Sequence, residues 1–87
     1  QQNYPNAFNP STSIEYGLPT DGYVTLQIYN SMGEVVKNLV NDFQSQGYKS
    51  VRWNAENNKG QKVGAGLYIY TIKAGNNKQT RKMLLLK

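Results

Sequence analysis

Gly22-Tyr23-Val24-Thr25-Leu26-Gln27-Ile28-Tyr29-Asn30-Ser31-Met32-Gly33 is the stretch that decides the fold. Val24, Leu26 and Ile28 alternate with Thr25, Gln27 and Tyr29, so the apolar side chains recur at every second position and share one face of a strand. Thr20-Asp21-Gly22 before the run and Asn30-Ser31-Met32-Gly33 after it read as turns, with Gly33 suited to a positive φ.

Working outward, the same period recurs on both sides. Ile14, Tyr16 and Leu18 share one face of a short strand that stops at Pro19. Residues 1–12 are rich in Asn and Pro, and each Pro pushes its predecessor out of the α region, so they read as an extended N-terminal segment with Phe8 anchoring it to the core. Downstream, Val36, Leu39 and Val40 fit helical spacing. Residues 35–40 are too few for a helix, however, and valine favours strands, which gives a strand with room for a bulge. Residues 41–47 read as a loop holding Phe43. Residues 48–53 form a strand with Val51 and Trp53 on one face, and 54–66 are the longest stretch poor in apolar residues. Residues 67–74 place Tyr68, Tyr70 and Ile72 on one face, Gly75-Asn76-Asn77 is a tight hairpin turn, and 78–87 close the chain as a last, basic strand. Six or seven short strands at intervals of roughly 8–12 residues, without a convincing helix, imply an antiparallel β-sandwich or a small barrel.

Composition narrows the functions available. The 87 residues contain no Cys and no His, which removes disulfides, thiol nucleophiles, the commonest general base and the commonest transition-metal ligands. Hydrophobic residues make up 38%, seven of them Tyr, so the core is lean for one small domain spanning 1–87. No apolar run approaches the length of a membrane span. The chain starts at Gln1 with neither an initiator Met nor a signal peptide, and is read as a piece of a longer protein or a mature product. The net charge of +5 is uneven. Residues 1–58 hold three cations against all five acids, a net −2, whereas residues 59–87 hold seven cations and no acid. Such a strip keeps strand edges apart or meets an acidic partner.

Residues able to carry chemistry are sparse. Asn54, Glu56, Asn57, Asn58 and Gly60 resemble a shortened calcium loop, but calcium wants several carboxylates and only Glu56 is charged, so a loop bonded to its own backbone is favoured and no metal is expected. Ser-x-x-Lys spacing is absent, and Thr80 with Lys82 is a weak substitute for a nucleophile and its base. The acids are scattered over turns and loops. No catalytic residues and no cofactor follow. Tyr68, Tyr70, Lys73 and Arg81 combine aromatic and basic character, yet their alternation with Leu67, Ile69 and Thr71 marks a core face rather than a nucleic-acid platform.

Tyr4-Pro5-Asn6-Ala7-Phe8-Asn9-Pro10-Ser11-Thr12 resembles the opening of the C-terminal sorting domains of type IX secretion, a superfamily that also includes the Ig-like domain of the flagellar hook-capping protein. The resemblance continues in order through residues 22–26 and 28–33, then Val35-Val36 and Leu39-Val40. It goes on through Gly47-Tyr48-Lys49-Ser50-Val51-Arg52-Trp53, Gly60 to Val63, Ala65-Gly66-Leu67-Tyr68 and the final residues 79–87. Ala7 stands where the family usually has a second Pro, and Asn54-Ala55 where it usually has Asp-Gly.

The resemblance implies an antiparallel Ig-like β-sandwich at the C-terminus of a larger exported protein, with Lys87 as a natural terminus. It implies a secreted, outer-membrane or cell-surface location. Its partners would be a secretion translocon or sortase-like protein and an upstream cargo domain in the same chain. Neither nucleic acid nor a membrane span is implied, and edge strands leave room for self-association. Lys78, Arg81, Lys82 and Lys87 are the candidate recognition residues. Pro5, Asn6, Phe8, Asn9, Pro10, Gly47, Trp53, Gly66 and Tyr68 carry the motif's structural roles. The alternatives are a structural Ig-like module of a surface enzyme, filament or appendage, and a binder of anionic polymers.

Overall fold

The alternating run at 24–29 becomes the centre of the larger of two sheets. The computed structural model describes residues 6–8 and 11–86, with residues 6–8 traced as strand only. In chain order the strands are β1 (Asn6–Phe8), β2 (Thr12–Leu18), β3 (Gly22–Asn30), β4 (Val35–Gln44), β5 (Gly47–Trp53), β6 (Gly66–Ala74) and β7 (Asn77–Leu85). One sheet has the order β1-β7-β6-β3-β4, the other pairs β2 with β5, and no helix occurs among the described residues. The all-β sandwich expected from the sequence is the architecture observed.

Val24, Leu26 and Ile28 of β3 have no exposed surface. Flanking them on the same face are Tyr68 and Ile72 of β6, Met83 and Leu85 of β7, and Val40 of β4. The smaller sheet closes over this face with Ile14 and Leu18 of β2 and Trp53 of β5. The Trp53 ring meets Tyr68 edge-on, with centroids 5.3 Å apart. Its indole N–H donates to the Glu56 carbonyl at 2.9 Å, so the buried polar tip is satisfied. The Tyr68 hydroxyl donates to the Gly64 carbonyl at 2.7 Å, a bond of the tyrosine-corner kind that pins the chain entering β6.

Four sequence expectations need correction. Residues 41–44 are strand rather than loop, because the start of β3 needs a partner: Gly22 pairs with Gln44 and Tyr23 with Phe43. The last strand starts at Asn77 and ends at Leu85, before Leu86, and Lys87 of the expected 78–87 lies outside the described residues. The N-terminal segment is not merely extended, because β1 joins the sheet and β2 already begins at Thr12. The sandwich is also not wholly antiparallel. β1 runs parallel to β7, with Asn6, Ala7 and Phe8 opposite Met83, Leu84 and Leu85. The end of β7 offers an edge to pair with.

The helix-like spacing of Val36, Leu39 and Val40 has a simple cause. The β3–β4 register shifts twice, between Leu26 and Gln27 and between Ile28 and Tyr29, leaving Leu39 and Val36 as extra residues on β4. Each bulge resets the alternation, so all three side chains reach the core.

Candidate functional site

The two-residue turn at Gly75-Asn76 sets the register of the last hairpin, with Ala74 opposite Asn77, and Gly75 takes φ +60°. From that register the two faces of β7 can be assigned. Met83 and Leu85 are buried, so Asn77, Gln79 and Arg81 share their inward face, while Lys78, Thr80, Lys82 and Leu84 point to the opposite side.

The candidate recognition residues are thereby divided. Lys78 and Lys82 stand on the outer face, and Arg81 stands on the inner one, opposite Tyr70. Arg81 borders a groove of about 250 Å³ between β7 and the edge of β2, lined also by Thr12, Glu15, Gln79 and Met83. Burial raises the Tyr70 hydroxyl pKa above its ordinary value, and the neighbouring Arg81 charge offsets part of that shift. Lys87, Pro5, Asn9 and Pro10 lie outside the described residues, as do the side chains of Asn6 and Phe8. Gly47 and Gly66 have φ of +126° and +148°, and a Cβ at either would meet open space, so what they supply is backbone freedom at the strand starts rather than close approach.

Cross-strand pairs extend the outer face across four strands. Lys78 lies opposite Lys73, which lies opposite Thr25 and then Asn41. The next row is Thr80, Thr71, Gln27 and Asn38, and the row beyond is Lys82, Ile69, Tyr29 and Val35. Tyr23 and Phe43 sit opposite each other at one corner, 54% and 67% exposed. Most polar groups here are bonded to one another. Tyr23 donates to Asn41 Oδ1 at 2.8 Å, Gln27 Nε2 to Asn38 Oδ1 at 2.8 Å, and Tyr29 to Gln27 Oε1 at 2.8 Å, while the Thr71 and Thr80 hydroxyls lie 3.3 Å apart. In the sequence Lys73 stands with Tyr68, Tyr70 and Arg81 as an aromatic and basic set and not with the recognition residues, although the hairpin register places it beside Lys78.

The loop between β5 and β6 binds its own backbone. Asn57 Oδ1 accepts from the Lys59 and Gln61 amides at 2.9 and 3.0 Å, and Lys62 lies 3.6 Å from Glu56. Among the described residues no group of carboxylates gathers to hold a metal. Ala55 is buried at φ +60°, the only non-glycine residue among those described with a positive φ, at the position where the resemblance expects Gly.

A family model for the FlgD Ig-like domain matches residues 8–78. The chain belongs to the FlgD Ig-like domain family. Solved structures agree in fold. FlgD from P. aeruginosa is 22% identical with a TM-score of 0.66, over 83% of this chain and 57% of that one. Dimeric latent PorU from Porphyromonas gingivalis is 20% identical with a TM-score of 0.72, over 95% of this chain and 9% of that one. PorZ from the same organism, described as an essential surface component of the type IX secretion system, is 17% identical with a TM-score of 0.64, over 97% and 11%. This FlgD-type Ig domain thus spans just over half of the flagellar protein and about a tenth of the PorU and PorZ chains. A comparison with curated proteins returned no match.

Proposed function

We propose that this FlgD-type Ig domain is a non-catalytic sorting module that addresses a larger exported protein, through an outer-membrane secretion system of the type IX kind, to the cell surface. The observation that carries the reading is the acid-free, cationic last strand on a folded sandwich, with Lys78 and Lys82 displayed outward and Lys78 opposed on β6 by Lys73. Two lysines directly opposite each other repel and do nothing for the hairpin, so their placement is better explained by a partner than by stability. The fold shared with PorU and PorZ, one of them described as a type IX component, supports the same reading. The partner is a translocon or sortase-like protein, and the cargo lies in the same chain.

The test is export of a reporter fused to the domain in a bacterium with type IX secretion. Deleting the last strand is uninformative, because β7 supplies Met83 and Leu85 to the core. Lys78→Glu with Lys82→Glu leaves the core untouched and is expected to abolish surface delivery while the melting temperature stays within a few degrees. Failure of the unaltered domain to deliver the reporter defeats the reading, and normal delivery of the variant removes Lys78 and Lys82 from it.

A second reading is a structural module of a surface enzyme, filament or appendage, favoured by the family match to a flagellar domain. Ordered polymers of the isolated chain, with no delivery of the reporter by the unaltered domain, select it.

A further inference from the structure

We infer that the outer face of the five-stranded sheet is a docking surface for the acidic face of a partner protein, seated on Lys73, Lys78 and Lys82 along one side and on Tyr23 and Phe43 at the corner. This deepens the sorting reading and rests on it for the identity of the partner as a secretion component.

The distribution of charge carries the argument. All five acids lie off this face. Glu15 points outward from β2 in the smaller sheet, opposite Ser50. Asp21 is in the β2–β3 turn, where it accepts from the Gln46 amide at 2.8 Å. Glu34 is in the β3–β4 turn, where Asn30 Nδ2 donates to it at 2.9 Å. Asp42 is opposite the buried Val24, on the inward side near Tyr16, and Glu56 is held by Lys62 in the β5–β6 loop. Among the described residues the charged side chains of the outer face therefore have one sign, and a second copy of the same face would be repelled by it.

The neutral part of the surface favours a protein over a sugar polymer. Tyr23, Tyr29, Gln27, Asn38, Asn41, Thr71 and Thr80 are bonded to one another in pairs and short chains, which holds these side chains as a fixed layer. A layer of mutually bonded polar side chains suits a partner that packs over it, with exposed aromatics as anchors and charges at the rim. Four strands about 4.8 Å apart, crossed by rows about 6.7 Å apart, give a footprint of roughly 15 by 20 Å, the size of a transient contact rather than an obligate one. Arg81, on the other face, is excluded from this surface and acts as a neighbour of Tyr70.

The experiment uses the full 87-residue chain, labelled for amide NMR and titrated at low salt with poly-L-glutamate as the acidic polypeptide and dextran sulfate as the anionic polysaccharide. Poly-L-glutamate is expected to move the amides of Thr71, Lys73, Lys78, Thr80 and Lys82. Combined Lys73→Glu, Lys78→Glu and Lys82→Glu should weaken it by about tenfold or more, Tyr23→Ser with Phe43→Ser by about threefold, and Arg81→Gln by less than about twofold. Shifts centred on Arg81, Lys49 or Arg52 overturn the assignment. So does tighter binding of dextran sulfate than of poly-L-glutamate at the same face, or self-association through it. The reporter assay separates the two layers of the argument. If the unaltered domain fails to export while poly-L-glutamate still maps to this face, the sorting reading falls and the docking surface stands. If the domain exports and the triple variant, folded by its melt, exports equally, the docking surface falls and another face must do the sorting.

Discussion

Residues 77–82 and 83–85 belong to one strand and share one ladder with β6, yet they meet different surroundings. The first six are all exposed, while Met83 and Leu85 are buried at 1% and 2%. Over residues 83–85, β1 lies along the edge, and Met83 and Leu85 share the core with Trp53. Over residues 77–82 the inward side opens into the groove beside β2, and the outward side carries the lysine strip. One end of the strand holds the sandwich together, and the other end is surface available for recognition. The alternation of faces is the same in both, but residues 77–82 are all polar and 83–85 all apolar, and the second sheet is only two strands wide.

Substitutions can break or sharpen that contrast. The largest expected effect comes from Trp53→Ala, which removes the ring covering the buried end and should lower unfolding free energy by about 3–5 kcal/mol in urea melts. Met83→Ala should cost about 2–4 kcal/mol, against less than about 0.5 kcal/mol for Thr80→Ala three residues earlier; equal losses at the two positions would erase the distinction. Tyr68→Phe, which deletes the bond to the Gly64 carbonyl, should cost about 1 kcal/mol. The smallest effect is expected at Lys78→Thr, which relieves the repulsion with Lys73 and should stabilise the domain by no more than about 0.5 kcal/mol, most at low salt.

Alkali probes the covered side from another direction. Burial raises the pKa of Tyr16, Tyr68 and Tyr70 above the ordinary tyrosine value. The Gln44 hydrogen bond partly opposes the shift at Tyr16, and the Asp42 charge adds to it. A folded-state pKa above the unfolded one means that the folded chain holds its phenolic protons longer. The associated stability is complete below about pH 10 and declines as pH rises through the folded-state values. Denaturant midpoints should therefore be level with respect to these groups below that pH and fall above it, and Tyr70→Phe should flatten the fall.

Most of the architecture was legible because the core strands alternate without interruption: Val24, Leu26 and Ile28, then Tyr68, Tyr70 and Ile72. It became illegible where one face of a strand is solvent. Asn41, Asp42 and Gln44 look like loop residues because β4 is an edge strand whose end has little to bury. The two bulges hid the period of β4 by adding a residue each. β1 left almost no signal, since a three-residue parallel pairing depends on a strand at the far end of the chain. The candidate site was legible in charge but not in direction. Grouping Arg81 with Lys78 and Lys82 counted cations along the chain and ignored that neighbours on a strand face opposite ways. Lys73 was grouped with Arg81 and not with Lys78 for the complementary reason, being near Lys78 only across the turn.

The parallel pairing of β1 with β7 has a mechanical consequence. When tension is applied through the chain on either side of the domain, β1 is drawn backward and the end of β7 forward, along a common axis. The hydrogen bonds joining Asn6, Ala7 and Phe8 to Met83, Leu84 and Leu85 then bear the force together, in shear, instead of opening one after another like a zip. A domain built this way resists being pulled lengthwise far better than being peeled from its β4 edge, so the path by which it is handled matters as much as its equilibrium stability.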